Sequence, residues 1–198
     1  MGNIIDNFKQ IEKHLGFEDP NDFYFIQIIQ RKKEVPELGS NNRLIRSYYI
    51  NSVDSFNKYK DEIVKLCEVF NARAYIHLSP RNNKTMFSDM FTQMGEVLRS
   101  NQYDSLSKIF NTVCGRSKGS KARWIIDVDT KDAEFVTGVV NTINEISNND
   151  RGIHVVVDII ETKNGYHIIT EGFNLSKFKE IFTDIEVHKN NPTILYCK

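Results

Sequence analysis

The sequence predicts an α/β (α+β) fold, and three observations carry that expectation. Short runs that are apolar or alternate with period two, such as FYFIQIIQ and WIIDVD, recur along the chain and read as strands. Between them, apolar residues return at helical spacing, as do Phe135, Val139, Val140, Ile143 and Ile146. From Trp124 to Lys189 the two kinds of segment follow one another in the order β-α-β-β-α-β.

Taken in order, residues 3–15 read as a short amphipathic helix with Ile4, Ile5, Phe8, Ile11 and Leu15 on one side. Residues 23–34 and 43–50 read as two paired strands around the turn-forming stretch PELGSNN. A helix is expected from Ser55, with Ser52 or Asp54 as its cap. ARAYIHLSP (72–80) is a strand closed by Pro80. Residues 84–99 and 103–113 are two helices, and GRSKGSKAR (115–123) is a basic connector. Then come the strand ARWIIDVD, a helix over Lys131–Ile146, the strand GIHVVVDIIE and the turn TKNG, which has the Asn-Gly chemistry of a tight hairpin. The returning strand YHIITEGF, a helix over 175–182, the strand IEVHK and a last strand TILYC complete the chain. A βαββαβ unit makes an RRM-like sheet with helices on one face, leaving the other face free to carry chemistry. Residues 1–71 form an N-terminal α/β extension to this unit, and 72–198 the core, within a single domain.

Composition narrows the function. The 198 residues carry 26 Lys+Arg against 26 Asp+Glu, which disfavours a globally basic DNA-coating protein but not a local basic patch. A hydrophobic fraction of 40% with 11% aromatic residues fits a folded globular protein. Cys67, Cys114 and Cys197 are few, odd in number and far apart, so neither a zinc knuckle nor a disulfide framework is expected, and a reducing, cytoplasmic location is. The N-terminal stretch is charged throughout, without an apolar core of signal-peptide length. No segment approaches the roughly 20 apolar residues of a membrane span. There is no Walker A loop, GxGxxG or GxSxG.

The chemistry-bearing residues gather in the second half. Asp127 and Asp129 end a strand one residue apart, and a strand places i and i+2 on one face. Two like charges so placed either stand in water or hold a cation; Asp129 also suits the N-cap of the following helix. His167 lies in the returning strand of the hairpin, Glu186 and His188 in the strand after it. In a βαββαβ sheet the first and third strands are central neighbours, which brings the aspartates and His167 together. Grouped carboxylates are hard-oxygen ligands suited to Mg²⁺ or Mn²⁺, ions that also bind substrate phosphates.

The strand RWIIDVD, the helix after it and the hairpin IIETKNGYHII resemble the first two motifs of the archaeo-eukaryotic primase superfamily, in its plasmid and phage branch. The first motif is an apolar strand ending in Asp-x-Asp. The second is a Ser or Thr, a Gly turn, an aromatic or apolar residue and His, filled here by Thr162, Gly165, Tyr166 and His167. Upstream, ARAYIHLSPRN resembles the strand that precedes the core, with Ser79, Pro80 and Arg81 at its turn. The third motif is an apolar residue and Asp in the last strand; this sequence departs from it, with Glu186 in the strand taking the place, or Asp184 at the strand's start. The resemblance spans residues 72–190. It implies a metal-dependent nucleotidyltransferase of primase or primase-polymerase type in phage or mobile-element DNA replication. Asp127, Asp129 and Glu186 would then be catalytic and hold the Mg²⁺ or Mn²⁺. Thr162, Lys163, His167 and Arg81 would bind a nucleoside triphosphate. The implied partners are that nucleotide, a single-stranded DNA template and a helicase supplied separately.

Arg116, Lys118, Lys121 and Arg123 read either as contacts to nucleic-acid phosphates, without base specificity, or as a solvated loop. Tyr75 and His77 share a strand face and suit either nucleotide support or packing. Tyr48-Tyr49 and the run Arg31-Lys32-Lys33 read as surface or core by default. Two other functions compete. A catalytically degenerate protein of this fold would serve as a nucleic-acid or protein binding module. The His77-x-Ser79 element also resembles one half of a 2H phosphoesterase site, although a second such element is missing and the aspartates would go unexplained.

Overall fold

Ten strands and six α-helices are found in the described residues, 4–117 and 121–198, of the computed structural model. In chain order they are β1 (Ile5–Asp6), α1 (Phe8–Glu12), β2 (Asp22–Gln30), β3 (Arg43–Ile50), α2 (Val53–Phe70), β4 (Arg73–Ile76), β5 (Arg81–Asn82), α3 (Asn83–Ser100), α4 (Ile109–Arg116), β6 (Trp124–Val128), α5 (Ala133–Arg151), β7 (Val156–Glu161), β8 (Tyr166–Thr170), α6 (Leu175–Ile181), β9 (Glu186–His188) and β10 (Thr193–Cys197). Short 3₁₀ helices occupy Pro36–Leu38 and Tyr103–Lys108. Asn3 of the first predicted helix and Lys118 of the basic connector lie outside the described residues.

The strands form two antiparallel sheets. The first runs β1-β10-β4-β2-β3, with β5 beside β2; the second runs β7-β8-β6-β9. Strands from both sides of residue 71 share the first sheet, since β4, β5 and β10 pair with one another or with the N-terminal strands. The predicted helix at the N-terminus is only half helical. Ile5 and Asp6 instead pair with Cys197 and Tyr196 as an edge strand, a long-range pairing that overrides local helical spacing. Residues 103–108 are 3₁₀ rather than α. At the start of α2 the predicted Ser52 cap is present as a reciprocal pair with Ser55.

Three apolar clusters hold these layers. The first sheet packs with α1 and α2 through Phe8, Ile26, Ile28, Phe56 and Ile63, among others. The second sheet buries Ile126, Val128 and Ile168 against Val139 and Ile143 of α5 and Phe178 of α6. A third cluster sets Phe23 and Phe25 of β2 against Met86 of α3 and Ile109 and Val113 of α4.

The face of the second sheet that bears Asp127 and His167 is not open along its length. Ile125, Ile160 and Ile169, which share that face, are buried in the core of the first sheet. Consecutive apolar residues Ile125 and Ile126 thus serve opposite faces, each buried on its own side. Asn7 ties the two units where they meet: its amide donates to the carbonyls of Glu161, at 2.9 Å, and Ile194, at 3.1 Å. All three cysteines are free and buried. No helix among the described residues is long and apolar enough to cross a membrane.

Candidate active site

Beyond the buried isoleucines, the same face of the second sheet turns polar. Pairing register places Asp127 of β6 directly between His167 of β8 and Glu186 of β9, so the three stand in one row across three strands. His167 Nε2 faces Asp127 Oδ1 at 3.5 Å, and its Nδ1 meets the Thr193 hydroxyl at 2.8 Å. Thr193 is fully buried and belongs to β10 of the other sheet, so one unit orients the histidine of the other. Glu186 is exposed, and its carboxylate lies 3.1 Å from His188 Nε2.

The His167 ring is the first cause holding the Asp127 carboxyl below its ordinary range. Burial pushes the other way, and the charges of His188 and Arg31 add to the lowering. Asp127 is therefore ionised at neutral pH.

Asp129, exposed just past β6, has no helix to cap. The N-cap of α5 is Asp132, which accepts from the backbone N–H groups of Glu134 and Phe135. The capping alternative for Asp129 is thereby answered by its neighbour.

The loop of residues 162–165 closes against this strand end. Thr162 N–H donates to the Gly165 carbonyl at 2.9 Å, and Gly165 N–H donates to Thr162 Oγ1 at 3.1 Å. Neither Asn164 nor Gly165 has positive φ, so this is not the two-residue primed turn that Asn-Gly predicts. Glycine is required here for closeness instead: a Cβ on Gly165 would lie 1.9 Å from the Val128 carbonyl oxygen and 2.7 Å from Thr130 N.

Row and loop form one wall of a cleft of ≈ 560 Å³ between the sheets. That wall holds Asp127, Asp129, Glu186, Thr162, Lys163 and His167, six of the residues singled out from sequence. The facing wall comes from the first sheet and its flanks: Arg31 and Lys33 after β2, Asn42 before β3, and Arg73 and Tyr75 on β4. Arg73 is already engaged by Glu34 through two nitrogens. Among the described residues no carboxylate pairs with Arg31 or Lys33. Asp184 lies outside this cleft, in an adjoining recess of ≈ 360 Å³ that also reaches Asp127, Asp129 and Glu186.

The other predicted site residues lie elsewhere. Arg81 is fully buried. It donates to the carbonyls of Cys114 (3.1 Å) and Ser79 (3.3 Å), to His77 Nδ1 (2.8 Å) and to Asn190 Oδ1 (2.9 Å). His77 is buried too, and burial, with the Arg81 charge beside it, pushes its imidazole down to about 3. It is neutral and closed off from solvent, which weighs against a role as a phosphoesterase acid or base. In the basic connector, Lys121 pairs with Glu18 and Arg123 with Glu171, while Arg116 lines a separate surface pocket with Asp89 and Glu96.

Of the first sheet's share of the cleft, sequence reading offered only Tyr75, and it passed over Arg31, Lys33, Asn42 and Arg73, and over Thr193 beside His167. The run of basic residues 31–33 was the one available signal for the cations, and it lies in a turn after β2, where the Glu34 and Val35 N–H groups donate to the Arg31 carbonyl. Among the described residues, no three His, Cys, Asp or Glu side chains are grouped closely enough to hold a metal ion as they stand. The donor chemistry nonetheless suits a hard divalent cation, which keeps several waters and takes further oxygens from a phosphate.

Fold and site together define a two-sheet α+β protein whose cleft has an acidic row on one wall and cations on the other. Compared with family models, with curated proteins and with solved structures, the chain finds no match.

Proposed function

We propose that the protein is a metal-dependent nucleotidyltransferase of the primase or primase-polymerase type, serving the DNA replication of a phage or other mobile element. One observation carries this reading: Asp127, Asp129 and Glu186 share a cleft with Arg31, Lys33 and Lys163. A polyphosphate is drawn by the cations, and a divalent ion held opposite by the carboxylates completes the match. The strand order β7-β8-β6-β9, with α5 and α6 on one face, supports an RRM-like reading of the second unit. The sequence motifs agree with it.

Asp127, Asp129 and Glu186 would hold Mg²⁺ or Mn²⁺, and that ion when bound supplies a Lewis acid for phosphoryl transfer. The chain's own groups do the rest. Asp127 stays charged at neutral pH. Thr193 fixes the ring of His167, and Thr162 and Lys163 bring the loop to the phosphate side. Arg31 and Lys33 face them across the cleft and offset the charge of a triphosphate. Arg81 acts at one remove, by holding Asn190 in the loop just before the cleft residues Asn191 and Pro192. In the reaction a 3′-hydroxyl oxygen bonds to the α-phosphorus of the nucleotide, its proton passes to solvent, and the bond from the α-phosphorus to the bridging oxygen breaks as pyrophosphate leaves. A single-stranded DNA template reaching Lys121 and Arg123 exchanges their ion pairs for phosphates, and a separate helicase supplies unwinding.

The test is Mn²⁺- or Mg²⁺-dependent synthesis on a single-stranded template, with the double variant Asp127→Ala, Asp129→Ala. Synthesis is expected to fall by ~10³-fold or more, the scale of losing a principal electrostatic stabiliser; unchanged synthesis in the variant sinks the assignment. A second reading, the non-catalytic binding module, draws support from the open spacing of the carboxylates. It predicts nucleic-acid or partner binding that is indifferent to both metals.

A further inference from the structure

Away from the cleft, α3 has one apolar side too many. Its inner side packs into the protein through Met86, Met90 and Val97. Its outer side carries Phe87, Phe91, Met94 and Leu98, all exposed, with Phe91 at 69% and Leu98 at 59%. A surface helix normally shows a single apolar stripe. The steps along this second stripe are four, three and four residues, the spacing that keeps a seam facing another helix. Phe110 of α4 shares a shallow pocket with Phe87, and Tyr103 stands exposed just beyond the end of α3.

At ~200 Å² for a large apolar side chain, these six residues leave about 600 Å² exposed. That is the upper end of what a monomer leaves open, and most of the ~800 Å² each partner contributes to a standard interface.

We infer that this seam closes on the same seam of a second copy, α3 lying antiparallel on α3 about a two-fold axis. The stripe is self-complementary in that arrangement. Its N-terminal half is aromatic and its C-terminal half aliphatic, so the axis sets Phe91 against the partner copy's Met94 and Phe87 against its Leu98. Aromatic rings against a thioether and a leucine pack without two bulky rings colliding. The seam positions from 87 to 98 carry no charge that would meet its like. Ser88 and Gly95 on its flank are small, and a Cβ added at Gly95 would meet nothing within 4 Å, so a helix has room to approach.

Sedimentation equilibrium of the full chain, without nucleotide, tests this over ~1 to ~300 µM, the range in which an interface of this size titrates. The mass should rise towards twice that of the chain. Phe91→Asp should weaken association at least ~30-fold, as loss of a central anchor does, with the circular dichroism spectrum unchanged. Phe91→Lys mixed with Met94→Glu should recover a heterodimer, because the two new charges face each other across the axis. A monomer throughout, a dimer indifferent to Phe91→Asp, or a mass change seen only with added oligothymidylate each overturns the inference. None of these readings depends on nucleotidyl transfer.

Discussion

Arg81 is a buried cation whose partners are carbonyls, an amide oxygen and an imidazole, with no carboxylate among them. The Cys114 carbonyl is one of the last in α4, where the helix dipole is negative and favours a cation. Because Arg81 donates to Nδ1, His77 must stay neutral with its proton on Nε2. The histidine pKa falls from 6.5 in the unfolded chain to about 3 in the folded one. Between those values the unfolded state binds a proton that the native state refuses. Stability present above pH 6.5 is therefore lost on acidification, by up to ~1.4 kcal/mol per pH unit. Asp127, also depressed, adds loss in the same direction once pH falls below the ordinary carboxylate range. Urea unfolding from pH 7 to pH 4 should show this slope, and His77→Gln, which keeps an acceptor for Arg81 but cannot titrate, should flatten it. An equal slope in the variant would put the acid sensitivity elsewhere. From sequence, Arg81 followed a strand in a motif-like setting and read as a ligand contact. Nothing local reveals that Cys114 and Asn190, 33 and 109 positions away, fold back to enclose it.

Elements were most legible where apolar period and capping agreed. The helix α2, the strands β3 and β10, and the order of the last six elements follow from spacing alone. What spacing missed was tertiary. Residues 5 and 6 became a strand because β10 offered an edge, and the face taken as open was half covered by the first sheet. The 162–165 loop shows the same lesson in one residue. Asn-Gly suggested a turn needing positive φ, whereas the glycine serves to let the loop touch the backbone at Val128 and Thr130. Gly165→Ala should therefore push the loop off the strand end. With backbone rather than a flexible side chain in the way, destabilisation of about 1–3 kcal/mol is expected. If the proposed function holds, nucleotide affinity falls with it, since Thr162 and Lys163 move with the loop. A variant of wild-type stability and affinity would show that the contact is not tight. Gly152→Ala makes a useful comparison: Gly152 ends α5 with φ of 69° and open space around it, so its cost is backbone strain with no effect on the cleft.

At the scale of the whole molecule, the site exists only because two sheets face each other. Either sheet alone would present its charges to bulk water, where they are worth little. Between the sheets the acidic row and the cations are a cleft's width apart. The second sheet's share was readable as DVD, TKNG and YH, but of the first sheet's only Tyr75 was: three consecutive basic residues give no hint of which ones a distant strand will face. The turn after β2 resolves it. Arg31 and Lys33 line the cleft, whereas the Lys32 ammonium bonds to the Ser40 carbonyl at 3.1 Å on the outside. Arg31→Glu with Lys33→Glu should weaken binding of a non-hydrolysable nucleoside triphosphate at least ~10-fold and reduce its dependence on salt, because two screened attractions become repulsions. Stability should change by no more than ~0.5 kcal/mol, as for surface positions without a buried partner. Lys32→Glu changes the net charge by two units, half the change of the double variant, but faces away, so a comparison per unit charge separates the local field of the cleft from the field of the whole protein. A loss in Lys32→Glu of half the binding free energy lost in the double variant would mean that the ligand senses only the overall charge. Loss confined to the double variant would place the triphosphate between the sheets, opposite Asp127.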